Sequence, residues 1–213
     1  MNTVIEWYRN GGWIMNFILA VAVVGLAIFI ERFYVIVVKS KINGRAFIER
    51  IIQLVRAGKI DDAIKLCAQS NAALPDMGLL ILRSRTRDEA DLQNVADAAA
   101  LSVIPRLTRR LQYLPMLGNV ATLLGLLGTI FGLREAFSSV SGTTASDRSA
   151  GLASGIAIAL NATGFGLLVA VPLSVAHAYL VSQAETIIEQ VDEFSVRLIN
   201  ALIDRPDVRL GHR

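Results

Sequence analysis

Threonine is the most suggestive polar residue in the two apolar stretches of the second half of the chain. Thr129 lies within LLGLLGTIFGL and Thr163 within ALNATGFGLL. A hydroxyl both donates and accepts hydrogen bonds, so a threonine inside a membrane could relay protons or coordinate a cation. It could equally bond the carbonyl four residues earlier in its own helix, which is a purely structural use. The residues alone leave both uses open.

The second of these stretches contains three further candidate residues, Asn161, Ser174 and His177. On an ideal helix, Ser174 and His177 return to the face of Thr163, where the three would suit a narrow hydrated path, whereas Asn161 is about 200° away. The middle of each stretch contains no Asp, Glu, Lys or Arg. An ion carrier normally needs a charged or titratable group at membrane depth. Either these stretches are not an ion path, or another chain supplies the carboxylate.

The elements that must position these residues are membrane helices. The chain has 213 residues, of which 54% are hydrophobic and 18% charged, with a mean hydropathy of +0.52. A soluble protein has about a quarter of its residues charged. About 20 apolar residues in a helix cross a hydrocarbon core. We therefore predict an all-α membrane protein with three transmembrane helices, at 13–38, 111–137 and 149–182.

The distribution of charge predicts the orientation of these helices. Thirteen of the 21 Lys and Arg residues lie between Lys39 and Arg110, and four more follow Ala184. Because basic residues favour the cytoplasmic side, we predict long cytoplasmic helical extensions, a helical domain at 39–110 and a helix with a tail at 183–213. The N-terminal arm 1–12 and the loop 138–148 are then outside. Glu31 and Arg32 are expected to form an interfacial ion pair, to pair with neighbours or to reach the headgroups.

Local signals predict helix boundaries within 39–110. Gly58 is expected at a helix C-terminus, and Asn71–Asp76, with its Pro75, is expected to be a turn. Pro105 should kink or break its helix. Cys67, the single cysteine, lies on an apolar stripe and is expected to be a small core residue.

The chain has one cysteine and two histidines, and these small numbers limit the chemistry that it can carry out. They exclude an internal disulfide and argue against a metal centre built from this chain, and no catalytic set of side chains is apparent. We predict no enzyme activity, no catalytic residues, no metal, no cofactor and no nucleic-acid partner.

Small residues recur along both threonine-bearing stretches at helical spacing. One stripe comprises Gly118, Thr122, Gly125, Thr129 and Gly132, and a similar one comprises Gly151, Gly155, Ala159, Thr163, Gly166 and Ala170. Small residues let membrane helices approach closely. The residues predicted to pack helices are Gly118, Gly125, Gly128, Gly132, Gly155 and Gly166.

Two segments carry a family resemblance. LGLLGTIFGLREAF (124–137) and GIAIALNATGFGLLVAVPLSVA (155–176) resemble the MotA/TolQ/ExbB proton-channel family, and most closely its ExbB/TolQ branch. GGWIMNFILA near the N-terminus and AFIERIIQLVRAGKIDDAIKLCAQS also resemble that branch, so the resemblance covers nearly the whole chain.

The resemblance implies a function and partners. It implies an ion channel subunit, with the proton as the expected ion, in a motor of the bacterial inner membrane that uses the ion-motive force to act on envelope targets. It also implies a homo-oligomer, expected to be a pentamer, around an ExbD/TolR-like single-span partner that carries a membrane Asp, with a TonB/TolA-like protein as a further partner. Thr129 and Thr163 would line the pore. The alternative is a non-conducting scaffold that packs a partner helix.

Two positions depart from the family pattern. Ile158 stands where ExbB and TolQ usually have Glu, and Thr122 stands where they tend to have Pro. Asn161, about 60° from Ile158 on a helix, could offer a neutral polar substitute for that Glu.

Overall fold

The computed structural model describes residues 11–39, 44–70, 72–84, 86, 88–140 and 145–204. Within these ranges the regular secondary structure is entirely helical, which confirms the predicted all-α class. The helices are α1 (Ile14–Phe33), continued by a π-helical segment (Tyr34–Lys39), α2 (Gly44–Arg56), α3 (Ile60–Ala68), α4 (Ala73–Arg83), α5 (Glu89–Thr108), α6 (Tyr113–Ser138) and α7 (Ala145–Ile203).

Three helical stretches are long and apolar enough to cross a membrane, which confirms the predicted number of spans. They fall within Ile14–Lys39, Glu89–Ser138 and Ser146–Ile203. The last lies within α7, a single helix of 59 residues that includes Pro172. The side of the membrane on which the N-terminus lies remains a prediction.

The chain forms two compact units. The span unit consists of Met1–Glu31 and Arg110–Tyr179, and the helical unit consists of Arg32–Arg109 and Leu180–Arg213. In the span unit, α1 packs through Ile14, Met15 and Ile18 against Ala121 and Phe165. This small core positions α6 and α7, the two helices that carry the candidate threonines.

Large apolar side chains fill the core of the helical unit. Phe194 is fully buried, and its ring meets that of Phe47 edge to face at a centroid distance of 6.1 Å. Ile51, Val55 and Met77 are buried in the same core. Cys67 also lies there, as predicted, and its burial raises the pKa of the thiol to about 12. Gly58 follows α2 with a φ of 76°, the left-handed conformation expected after a helix end.

The predicted turn at 71–76 is wrong from Ala73 onward, while Asn71 lies outside the described residues. Helix α4 begins at Ala73, so Pro75 belongs to its first turn. Proline is tolerated there because the first N–H groups of a helix have no partner within the helix. Pro105 likewise does not end α5, which continues to Thr108.

Glu31 and Arg32 each interact with a different neighbour. In the span unit, Arg110 Nη1 donates to both carboxylate oxygens of Glu31, at 2.8 and 3.0 Å. Arg110 has a φ of 66° and occupies the short connection between α5 and α6. In the helical unit, the buried Arg32 donates from Nη1 to the carbonyl of Arg106 at 3.4 Å. That carbonyl lies in the last turn of α5, where a cation is favourable because the helix dipole is negative.

Candidate ion-pathway site

Helices α6 and α7 are antiparallel and meet along a seam of small residues. Gly118 faces Ala170, Gly125 faces Ala162, and Gly132 faces Ala159. The small-residue seam consists of Gly118, Ala121, Gly125, Gly128, Gly132 and Ala136 on α6 and of Gly155, Ala159, Ala162, Gly166 and Ala170 on α7, and all of these residues are buried.

Backbone atoms touch along this seam. A Cβ on Gly132 would lie 2.6 Å from the Ala159 nitrogen and 2.8 Å from the Gly155 oxygen. A Cβ on Gly166 would lie 2.8 Å from the Ala121 oxygen, and one on Gly128 would collide with the Ala162 methyl group. The structure thus places the six glycines predicted to pack helices in this contact, where several of them are next to rigid main chain.

The threonines of α6 lie beside the seam and not within it. Thr122 is exposed and Thr129 half-buried, whereas Ala121 and Gly128 are fully buried. On a helix, Thr122 and Ala121 lie on either side of Gly118, at about 40° and 60° from it. The residue with the smaller side chain occupies the contact. Thr122 and Thr129, which share a stripe with Gly118, Gly125 and Gly132 in the sequence, are therefore displaced from the contact.

The threonines of both helices share one flank of the helix pair. Thr129 follows Gly125 by four residues, and Thr163 follows Ala162 by one, so both are rotated in the same sense from the line of contact. In an antiparallel pair, residues rotated in the same sense lie on the same flank. We call this the threonine flank, and it comprises Thr122, Thr129, Thr163 and Ser174.

Helix α1 covers the opposite flank. Trp13 contacts Phe131 edge to face, with a centroid distance of 5.4 Å, and Ile14 approaches Gly128. Phe131 is about 200° from Thr129 around α6. Within one copy of the chain, α1 therefore leaves the threonine flank open.

Each hydroxyl on the threonine flank donates to a main-chain carbonyl of its own helix. Thr122 donates to Gly118 at 3.1 Å and Thr129 to Leu126 at 2.6 Å. Thr163 Oγ1 lies 3.3 Å from the Ala159 oxygen and 3.4 Å from the Gly125 oxygen across the seam. Because the single hydroxyl proton is used in each case, these oxygens remain as acceptors.

Ser174 and His177 extend this side of α7. Ser174 is exposed, and its hydroxyl donates to the Ala170 carbonyl at 3.0 Å. Its Oγ lies 3.6 Å from the position of a Cβ on Gly118, which places the serine beside the start of α6. His177 is half-buried one turn further along α7.

Ile158 and Asn161 do not join the threonines. Ile158 lies near the start of α1, with its Cγ2 atom 3.7 Å from the position of a Cβ on Gly12. It lines a cavity of about 330 Å³ together with Trp13, Phe131 and Glu135. Asn161 is half-buried, about 200° from Thr163 around the helix.

Sequence reasoning did not single out Glu135, the carboxylate in the cavity of Ile158. Its position at the end of α6 and its separation from Thr129 by about 120° around that helix were the available signals. Glu135 is on the flank covered by α1, so it does not supply an acid to the threonine flank. The described residues also include no group of His, Cys, Asp or Glu side chains that could hold a metal ion.

Three apolar helices around a small-residue seam define a helical multi-pass membrane protein. Residues 58–193, more than half of the chain, match the sequence model of the MotA/TolQ/ExbB proton channel family. The chain belongs to this family. Its members are channel or transport subunits and not enzymes, as predicted.

Individual relatives agree with this membership. A putative biopolymer transport protein ExbB homolog from Methanothermobacter thermautotrophicus is 25% identical over 190 residues, which are 89% of this chain and 67% of the relative. The putative biopolymer transport protein ExbB-like 3 from Synechocystis sp. is 30% identical over 76% of this chain and 77% of its own length. The biopolymer transport protein exbB1 of Vibrio cholerae is 47% identical over 72 residues, 34% of this chain and 31% of its own.

A solved structure shares the fold. The structure of C. jejuni MotAB matches 91% of this chain and 79% of the compared chain with a TM-score of 0.63, at 13% sequence identity. At this identity the match supports the arrangement of helices alone.

Proposed function

We propose that this chain forms the channel wall of an ion-driven motor in the bacterial inner membrane, with the proton as the ion carried. The threonine flank carries this proposal, because it aligns the hydroxyls of two helices on the one side that α1 leaves open. In lipid an exposed polar stripe is unfavourable, so the flank is expected to face a partner helix or water.

The flank is incomplete as a path within one chain. It contains hydroxyl groups and no carboxylate, and the seam behind it is closed by backbone contact. We therefore propose that several copies, expected to be five, surround the single span of an ExbD/TolR-like partner. An Asp in that span would supply the titratable group that the flank lacks.

The partner would also transmit the work. Ion flow past Thr129 and Thr163 would change the charge of the partner's Asp and so favour a different position of its helix within the pore. A TonB/TolA-like protein is the expected recipient of this movement at the envelope. Uptake of a ligand through the outer membrane is one process such a motor could drive.

The test is ion flux through the complex of this chain with its single-span partner, reconstituted in vesicles that contain a pH-sensitive dye. We expect Thr129→Val and Thr163→Val each to lower proton flux at least tenfold while the complex still assembles, since valine keeps the shape and removes the hydroxyl. Thr186→Val is the matched control, because Thr186 is exposed on α7 outside the span unit. Full flux in both threonine variants would contradict the pore assignment.

A non-conducting scaffold is the second candidate, and one observation favours it. The hydroxyls of Thr129 and Thr163 donate within their own helices, as structural threonines do in membrane spans. A scaffold predicts that wild-type vesicles are as tight to protons as empty ones, while the partner still fails to assemble without this chain.

The ion can be assigned in the same vesicles. If the proton is carried, a protonophore abolishes the pH change that the dye reports, and replacing sodium by potassium leaves that pH change unaltered. Dependence on sodium would instead assign a sodium channel.

A further inference from the structure

A cavity of about 440 Å³ opens in the helical unit, away from the threonine flank. It lies where the π-helical segment that follows α1 meets the start of α4 and the end of α5. Its lining combines three charged residues, Lys39, Asp76 and Arg106, with apolar ones that include Val35, Val103 and Leu107.

Positive charge dominates this cavity. Arg106 lies 3.6 Å from the Asp76 carboxylate, and Lys39 forms no ion pair with any residue that the structure describes. The two cations and one acid give a local charge of +1. The guanidinium of Arg32 donates to the carbonyl of Arg106 and so adds a further positive charge next to that residue.

The cations are placed to bind an anion and still leave the fold intact. The Arg106 side chain is 69% exposed, and a guanidinium has five N–H donors, so its contact with Asp76 leaves donors for a second acceptor. Phosphate is well matched to a guanidinium and an ammonium acting together. The carboxylate of Asp76 would repel the anion. Removing its charge should therefore strengthen anion binding, which tests whether the charge of the site controls affinity.

The apolar part of the lining indicates more than a free anion. Val35, Val103 and Leu107 would gain nothing from inorganic phosphate, whereas they could contact the glycerol and first methylene groups of a lipid. Lys39 is the last residue of the first span candidate, Ile14–Lys39. Arg106 precedes by four residues the point at which the chain enters the span unit. Both cations are thus close in the sequence to membrane helices, where anionic headgroups attract basic side chains.

We propose that this cavity binds the phosphate of an anionic phospholipid headgroup. Lys39 and Arg106 donate to the phosphate oxygens, Arg32 raises the local potential, and the apolar lining contacts the lipid backbone. By the predicted orientation the lipid belongs to the cytoplasmic leaflet. This site does not depend on whether the chain conducts ions.

The test is the titration of the purified full chain, in a neutral detergent, with phosphatidylglycerol and with phosphatidylcholine of the same acyl chains, followed by native mass spectrometry. Wild type should bind phosphatidylglycerol more tightly than phosphatidylcholine. The double variant Lys39→Gln/Arg106→Gln should lose about fivefold in affinity for phosphatidylglycerol for each cation removed. Asp76→Asn should bind phosphatidylglycerol more tightly than wild type. A gain in affinity cannot result from damage to the fold.

The matched control is Lys65→Gln/Arg197→Gln, which removes the same charge from exposed positions outside the cavity lining. This control should bind phosphatidylglycerol as wild type does. Equal affinity of wild type for the two lipids, or an equal loss in the control, would overturn the proposal. Inorganic phosphate tests the other source of the same chemistry: if it displaces phosphatidylglycerol at low millimolar concentration, the site is one for soluble anions and the lipid assignment is wrong.

Discussion

The span unit and the helical unit are both built from α-helices, yet they are held together by residues of opposite size. In the span unit, glycine and alanine bring the main chains of α6 and α7 into contact along the small-residue seam. In the helical unit, α2 to α5 and the end of α7 enclose large side chains such as Phe194, Ile51 and Met77.

The difference follows from the solvent of each unit. In water, burying apolar area stabilises a fold by about 25 cal/mol per Å², so large side chains contribute most. In lipid that gain between helices disappears, and close van der Waals contact over the backbone takes its place. Large apolar side chains thus stabilise the helical unit. In the span unit, small side chains let the backbones of α6 and α7 come into contact, and this contact stabilises the helix pair.

A large residue placed in the small-residue seam should cause the largest loss of stability. Gly132→Leu must push apart two backbones, because the Ala159 nitrogen and the Gly155 oxygen are the nearest atoms to an added Cβ. We expect a loss of about 5 kcal/mol or more, in the range of exceptional substitutions, although leucine is the better helix former. Yield and thermal unfolding of the purified chain measure this. The control is Leu133→Ile, at the neighbouring exposed position, which should behave as wild type; a normally stable Gly132→Leu protein would refute the packing argument.

The opposite change should damage the helical unit. Phe194→Ala removes a fully buried ring that contacts Phe47 and approaches Gly78, so it leaves a cavity. We expect a loss of about 4 kcal/mol in the free energy of unfolding. Val196→Ala, two residues along at an exposed position, is the control. If both alanine variants unfold at the same temperature, side-chain burial does not hold this unit together.

The last prediction concerns the thiol of Cys67 and tests whether water reaches the core of the helical unit. Burial raises the thiol pKa from 9.0 to about 12, so at pH 8 the thiolate fraction is roughly a thousandfold below that of an unfolded chain. Labelling by a maleimide should be slower by a similar factor and should become rapid on unfolding. In a Cys67→Ala background, Ala68→Cys places a thiol at the adjacent exposed position and should react quickly. Equally fast labelling of Cys67 in the folded chain would show that water reaches this core.

Sequence periodicity predicted where the helices lie, but it did not predict which face of each helix makes the contacts. Long apolar runs predicted three spans, and Gly58 marked the end of α2, because both signals are local. The stripe of small residues on α6 was ambiguous, since Ala121 and Thr122 lie at similar angles from Gly118. Packing against α7 resolved this ambiguity in favour of the smaller side chain. Pro75 was misread for a related reason, because a proline is compatible with both a turn and a first helical turn.

By itself, the sequence determined the class of this protein, its three spans, its family and the scarcity of charge within the membrane, because composition and spacing along one helix are properties of the chain. Only the tertiary structure decided that Thr129 and Thr163 share the flank opposite α1, that Ile158 and Glu135 line one cavity, and that Lys39 and Arg106 line another. Each of these facts depends on the rotation of one helix against another. That rotation is fixed by contacts between residues far apart in the chain, which no local pattern contains.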